Sequence, residues 1–341
     1  MEWTVAIGVD THKRTHTAVA LDRVGVQLAS CEVEATSAGY ARLLAWASEL
    51  GEPAFALEGA GSYGAGLADL LVAAGLPVYE VERPQRRERR RGKNDLIDAA
   101  RAAGRLLSGE GLSALRGGGP AREELRLLLL ERRSAVRART AALNQLHAVL
   151  LTAPARLRER LDGLTGDRLA ERCARQRPRD ESERVLVSVL RRLAGRARLL
   201  TGELAELEPE LERIVSALVP ELLAECGVGH VCAAQLVVSS GDPSRMRSEA
   251  SFAALAGTSP VEASSGPSRR HRLNRGGDRQ LNAALHVIAR TRLRCHAETR
   301  AYRDRLLARG KSKREAMRCV KRQLARHCYR LLVAEAALAS A

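Results

Sequence analysis

Four carboxylates carry the first chemical signal in this chain. They are Asp10 at the end of "TVAIGVD", Glu58 at the end of "PAFALEG", and Asp95 and Asp98 in "GKNDLIDAARAAG". Acids that end buried strands, together with an i, i+3 pair on a helix, converge at one edge of a sheet. Carboxylates crowded in that way repel one another unless cations neutralise them, and oxygen ligands favour Mg²⁺ or Mn²⁺. Two such ions side by side clamp the attacking and leaving oxygens of a phosphodiester. Singly, each acid also has a plainer reading as a cap or surface charge; Asp98 suits the positive end of a helix. Arg86, Arg87, Arg90 and Lys93 stand just ahead of the aspartate pair and are candidates to hold a substrate strand.

The elements that must position these acids are legible in the hydrophobic pattern. "TVAIGVD", "THTAVALD" and "VQLASCEVEA" read as strands, the last two separated by a turn at Gly25. "AGYARLLAWASELG" reads as a helix closed by Gly51, followed by the buried strand "PAFALEG", the helix "GAGLADLLVAAG" and the strand "LPVYEVE". Asp95 and Asp98 open the next helix, whose apolar stripe is expected to include Leu96, Ala99 and Ala103. This order predicts a mixed sheet flanked by helices over residues 1–110. The Gly-rich stretch at 107–119 reads as a hinge or boundary.

Beyond it, residues 120–218 read as a helical, coiled-coil-like region. Leu129, Val136, Leu143 and Leu150 recur every seven residues, and a second register runs from Leu186 to Leu218 in steps of three and four. The same spacing serves an antiparallel hairpin within one chain or a contact between two chains. Pro209 is expected to kink or break the second helix. Residues 152–182 are charged without clean periodicity and are expected to form an exposed connection. A mostly helical region, 219–341, follows.

Composition bounds the function. The 341 residues carry a net charge of +16, and residues 269–330 hold twenty Lys or Arg against four acids, an excess equal to the whole. A localised basic surface attracts a polyphosphate backbone through counterion release. Arg269, Arg270, Arg272 and Arg275 lead that segment. Aromatics make up 3%, which disfavours base stacking as the main mode of binding. Gly227 and Gly229 in "CGVGHVCAAQLVV" precede an apolar helix, an arrangement that presents backbone N–H groups to a phosphate and equally serves as an ordinary helix start. Seven scattered cysteines without a C-x-x-C pair indicate neither a disulfide framework nor a zinc site. No stretch approaches the apolar length of a membrane span and "MEWTVAIGVD" lacks the features of a signal peptide, so a cytoplasmic protein that does not engage membranes is expected.

"GVDTHK" with Asp10, "LEGAGSYG" with Glu58 and "KNDLIDAARAA" with Asp95 and Asp98 resemble the motifs of the DEDD transposases, the insertion sequence 110 group that includes the Piv-type invertases. "CGVGHVCAAQL", "FAALAGTSPVEASSG" and "RGGDRQLNAAL" resemble the landmarks of that family's C-terminal transposase domain. The resemblance implies a RuvC-like, RNase H-type fold with the four acids binding Mg²⁺. It also implies a serine nucleophile placed before a glycine, here Ser265 in "SSG", with Ser264 as its neighbour. The implied reaction is strand cleavage through a transient phosphoserine, followed by strand exchange, on element-end and target DNA. A guiding bridge RNA is a further implied partner. The heptads, with the need to cut more than one strand, point to a homodimer that pairs into a tetramer. Asp278 stands where the family usually has Asn, Cys226 where proline is common, and the interval between "SSG" and "RGGD" is about two residues short. Without serine chemistry the acids alone describe a RuvC-like nuclease, and without either a nucleic-acid-binding protein.

Overall fold

A computed structural model describes residues 3–81, 94–115, 117, 119–262, 271–272 and 274–340. They divide into two compact units, Met1–Gly117 and Gly118–Ala341. Among the described residues, no helix is long and apolar enough to cross a membrane.

The first unit is a six-stranded mixed sheet in the order β3-β2-β1-β4-β5-β6. Strand β1 (Val5–Thr11) pairs antiparallel with β2 (Thr15–Leu21), which pairs antiparallel with β3 (Gln27–Glu34). On its other side β1 runs parallel to β4 (Pro53–Glu58), β4 parallel to β5 (Val78–Val81), and β5 antiparallel to β6 (Leu112–Ala114). Among the described residues, three helices pack on the sheet: α1 (Ser37–Glu49), α2 (Ala65–Ala73) and α3 (Asp95–Ser108).

Residue size sorts the two faces of the sheet. Ile7, Val9, Phe55 and Leu57 pack with Leu43 of α1 and Leu67 and Leu71 of α2, each large side chain contributing about 1.5–3 kcal/mol on burial. The alternate positions are small: Ala6, Ala54 and Ala56 meet Ala99, Ala102 and Ala103 of α3. Small residues on both sides let helix and strand approach closely, and Gly8 marks the tightest point. A Cβ there would lie 1.9 Å from the Ala99 carbonyl oxygen and 2.2 Å from the Ala103 nitrogen. Leu96, expected in the apolar stripe, is instead exposed; Ala99, Ala102, Ala103 and Leu106 are the buried residues of α3.

The second unit is mostly helical. Helices α4 (Gly119–Leu151) and α7 (Arg184–Leu218) lie antiparallel: Leu125 and Leu129 share a cluster with Leu211 and Ile214, while Ala142 and Leu146 share one with Leu190, Ala194 and Ala197. The heptad leucines thus meet within a single chain. Of the kink or break expected at Pro209, the break does not occur: α7 runs through it, with buried Leu207 and Leu211 on either side. One expectation fails here. Residues 152–182 are not an exposed connection: α5 (Ala155–Leu161) and α6 (Gly166–Ala174) bury Leu157, Leu161, Leu169 and Cys173 against the α4–α7 pair. Their short runs are too brief for periodicity to show.

The rest of this unit comprises α8 (Pro220–Ala224), α9 (His230–Ser240), α10 (Glu249–Leu255), the two-stranded β7 (Val261–Glu262) and β8 (His271–Arg272), α11 (Arg279–Cys295), α12 (Ala297–Ala308) and α13 (Lys313–Ser340). Phe252, Leu281, Leu285, Ile288, Val320 and Leu324 form its core.

Candidate metal centre

The tight contact at Gly8 has a direct consequence two residues further on. Asp10 follows on the same face of β1, so the helix that crosses Gly8 brings its first turn over Asp10. Asp10, His12 and Asp95 each offer a ligand atom, and these atoms lie within 4.8 Å of one another. His12 Nε2 lies 3.4 Å from Asp10 Oδ2 and 3.2 Å from Asp95 Oδ2. Asp10 is nearly buried, with 9% of its side chain exposed, whereas Asp95 is 44% exposed; the cluster opens to solvent on one side. Two carboxylates at this range repel by a few kcal/mol, about 3 at an effective dielectric of 20 and less where water screens them. A cation between them removes that penalty.

Local structure holds each member. Asn94 caps α3, its side-chain oxygen accepting from Leu96 N at 3.0 Å, so Asp95 and Asp98 in the first turn are not consumed as caps. Thr11, buried beside Asp10, donates to the Glu58 carbonyl at 2.6 Å and ties the end of β1 to the end of β4. His12 begins the turn to β2, its N–H donating to the Thr15 carbonyl at 3.0 Å. On the opposite face, buried His16 stacks on Tyr40 with ring centroids 5.4 Å apart, and burial lowers its pKa from the ordinary value.

The four acids are therefore placed unequally. Asp10 and Glu58 are register partners on adjacent parallel strands, so their side chains leave the same face. Asp95 joins Asp10 through His12. Asp98 stands one helical turn along and pairs with Arg101 at 2.5 Å. The motif "GVDTHK" gives His12 no role by itself; the signal it carries is its position two residues after Asp10. Arg86, Arg87, Arg90 and Lys93 lie outside the described residues, as do Ser264, Ser265, Arg269 and Arg270.

Comparison with known proteins bears on both units. A family model for transposases of the DEDD, IS110 type matches residues 7–153, and one described as transposase of the IS116/IS110/IS902 family matches residues 221–304. The chain belongs to the IS110 family of transposases. A curated relative, the insertion element IS110 uncharacterized 43.6 kDa protein of Streptomyces coelicolor, is 36% identical over 120 residues. That match takes in 34% of this chain and spans 30% of the relative's length.

In this IS110-family chain the second matched region is built around Asp278. Its Oδ1 accepts from Gln280 N at 2.8 Å and Leu281 N at 3.1 Å, capping α11, and its Oδ2 accepts from Ser239 Oγ at 2.7 Å. Gln235 Nε2 donates to Ser239 Oγ at 2.8 Å, and Arg133 donates to Gln235 Oε1 at 3.3 Å. The preceding Gly277 lies against Gly257; a Cβ on it would come within 2.3 Å of Gly257 N. The "GG" before the aspartate is thus a backbone crossing point.

Strands β7 and β8 pair Val261 with Arg272 and Glu262 with His271, bracketing the segment that contains Ser265. Beside them lies a cavity of about 630 Å³ whose lining includes Ser259, Arg272, Lys311, Arg318, Lys321 and Arg322. Lys321 is nearly buried and donates to Asn282 Oδ1 at 2.5 Å, and burial lowers its pKa. Arg275 is exposed. Gly227 has φ +84°, in the left-handed region, and a Cβ there would be tight, 3.2 Å from Arg292 Cγ and Thr291 Cβ; Gly229 precedes α9 with open space around it. Packing against α11 is thus sufficient reason for glycine at 227.

Proposed function

We propose that this chain is the transposase of an insertion sequence, a recombinase that cuts and rejoins DNA strands. The observation that carries the reading is the convergence of Asp10, His12 and Asp95 where α3 crosses β1. We assign the first unit a RuvC-like, RNase H-type fold and divide the chain into an acid-bearing region 1–110, a helical arm 120–218 and a serine-bearing region 219–341.

The donor set fits a divalent cation. Two carboxylates supply hard oxygen donors of the kind Mg²⁺ takes, and an imidazole turned toward them extends the fit to Mn²⁺. A cation held there would supply Lewis-acid polarisation of a phosphate oxygen. Asp10 and Asp95 would hold it, with Glu58 on the same sheet face and Asp98 one helical turn along as further acids of the set. In this reading Ser265 Oγ attacks the scissile phosphorus. The Oγ–P bond forms as the P–O bond to one deoxyribose breaks, and the proton ends on the released hydroxyl. A second strand's hydroxyl then displaces Ser265 and restores it.

The basic cavity beside β7 and β8, together with Arg86, Arg87, Arg90, Lys93, Arg269, Arg270 and Arg275, contacts sugar–phosphate backbone, and the turn at Gly227 and Gly229 presents N–H groups to it. Base pairing with a bridge RNA then supplies sequence choice, consistent with 3% aromatic residues. Two strands must be cut together, which calls for a dimer that pairs into a tetramer.

The test is incubation of the full chain with element-end DNA, its noncoding-end RNA and Mg²⁺. The expected product is a denaturation-resistant protein–DNA adduct that is absent from Ser265→Ala. Free cut ends without an adduct identify a metal-dependent nuclease instead, and binding without cutting that is indifferent to Asp10→Asn identifies a non-catalytic binder.

A further inference from the structure

Cys226 and Cys295 are 69 residues apart in sequence, yet their sulfurs stand 3.3 Å apart. Both are free thiols; Cys295 is exposed and Cys226 partly so. By contrast, Cys173 and Cys328 are buried, their thiols pushed up to about 11 and about 12 respectively by burial. Cys295 Sγ donates to the Thr291 carbonyl at 3.2 Å, which leaves the Cys226 S–H as the donor between the two sulfurs.

Neighbouring contacts fix both partners. Next to Cys226, Gly227 lies against the last turns of α11, its Cβ position 3.2 Å from Arg292 Cγ and Thr291 Cβ. On the other side of Cys226, Glu225 accepts from Arg292 Nη1 at 2.8 Å and pairs with His327 Nε2 at 2.9 Å. The turn that carries Cys226 is thus clamped to α11 and α13 by charge pairs, and Cys295 sits at the end of α11. A disulfide bond needs the sulfurs at about 2.05 Å, a closure of little more than about 1 Å, within reach of side-chain rotation at an exposed cysteine.

We propose that Cys226 and Cys295 form a reversible disulfide, a redox modification site that pins the turn before α9 to the end of α11. With a peroxide as oxidant, the exposed Cys295 thiolate attacks one peroxide oxygen as the O–O bond breaks, giving a sulfenic acid and a hydroxide that takes up the proton Cys295 had lost and becomes water. The Cys226 sulfur then displaces hydroxide, which leaves as a second water once protonated, and the S–S bond forms. Two thiols are oxidised by two electrons and one peroxide is reduced; a dithiol reductant reverses the step. The bond closes a long loop of the chain, which restricts the unfolded state and raises stability. This inference does not rest on the transposase reading.

The experiment treats the full chain with a small excess of hydrogen peroxide, then reads the intact mass, the free-thiol count, the disulfide-linked peptides and the melting temperature. The expected result is a loss of about 2 Da and of two titratable thiols out of seven. A single peptide pair should join Cys226 to Cys295, with a melting temperature raised by about 5 °C or more, all reversed by dithiothreitol. Cys226→Ser and Cys295→Ser should each prevent the cross-link, whereas Cys232→Ser should behave as the wild type. The proposal is overturned if Cys295 goes to sulfinic acid without a cross-link, or if the bond joins other cysteines or two chains. An oxidised form that melts no higher than the reduced one overturns the pinning.

Discussion

The starts of α3 and α11, one in each unit, use their aspartates differently. At α11, Asp278 is the cap, and both of its oxygens are taken by the chain itself: two backbone N–H groups on one, Ser239 on the other. At α3 the cap is Asn94, and the aspartate that follows faces a second carboxylate across an imidazole. Both acids profit from the helix dipole. The contrast separates two arrangements: a carboxylate whose bonds close the start of its own helix, and one set beside a second carboxylate, where the proposed reading puts a cation.

Substitutions break that contrast in order of size. Asp10→Asn should reduce strand cleavage by about a thousand-fold or more, equivalent to about 4 kcal/mol in the barrier. The same variant should melt at the wild-type temperature or above, because the repulsion with Asp95 is relieved. Cleavage assays and calorimetry on one preparation check both halves, and a variant that keeps activity would erase the distinction. Gly8→Val should cost about 3 kcal/mol or more, since its Cβ falls 1.9 Å from the Ala99 carbonyl and must push α3 off the sheet. Cation binding should fall with it, readable by denaturant unfolding and a metal titration.

Asp278→Ala should cost about 2 kcal/mol, combining a lost cap with a stranded Ser239 hydroxyl, and should leave cation binding in the first unit untouched. Asp278→Asn, which keeps an accepting oxygen, should cost under about 1 kcal/mol. Urea unfolding of the pair separates them.

The smallest effect concerns His16. Its folded pKa is below the ordinary 6.5, so the unfolded chain binds the proton more readily and stability rises with pH. Acidification from about pH 7 through 6.5 toward the folded value should therefore weaken the first unit. The loss is bounded at about 1.4 kcal/mol per pH unit for one proton, and His16→Phe should flatten it.

How much of this was legible beforehand follows from element length and from what a contact looks like in sequence. Strands β1 and β4 are apolar runs ending in Asp10 and Glu58, and α3 has a cap followed by a spaced alanine face, so both were readable. Helices α5 and α6, seven and nine residues long, are too short for a period to emerge, and their charged faces hid the buried Leu157 and Leu169. At Pro209 a kink or break was expected; the helix continues, and the leucine register that runs through the proline, Leu207 and Leu211 included, is what holds it together. Leu96 joined the expected stripe by spacing, yet the alanines set how near α3 comes to the sheet and leave the larger side chain outside. In the site itself, Asp10 and Asp95 were legible as acids at element ends. His12 was not, because a histidine in a turn takes its role from what α3 brings opposite it.

If Asp10, His12 and Asp95 share one divalent cation, as proposed, a Mn²⁺ titration of the full chain followed by electron paramagnetic resonance should show it on the wild type, Asp10→Asn, Asp95→Asn and Asp278→Asn. A saturable site is expected in the wild type and Asp278→Asn, weakened at least about tenfold in each of the other two. Equal Mn²⁺ affinity in all four proteins would rule the shared cation out.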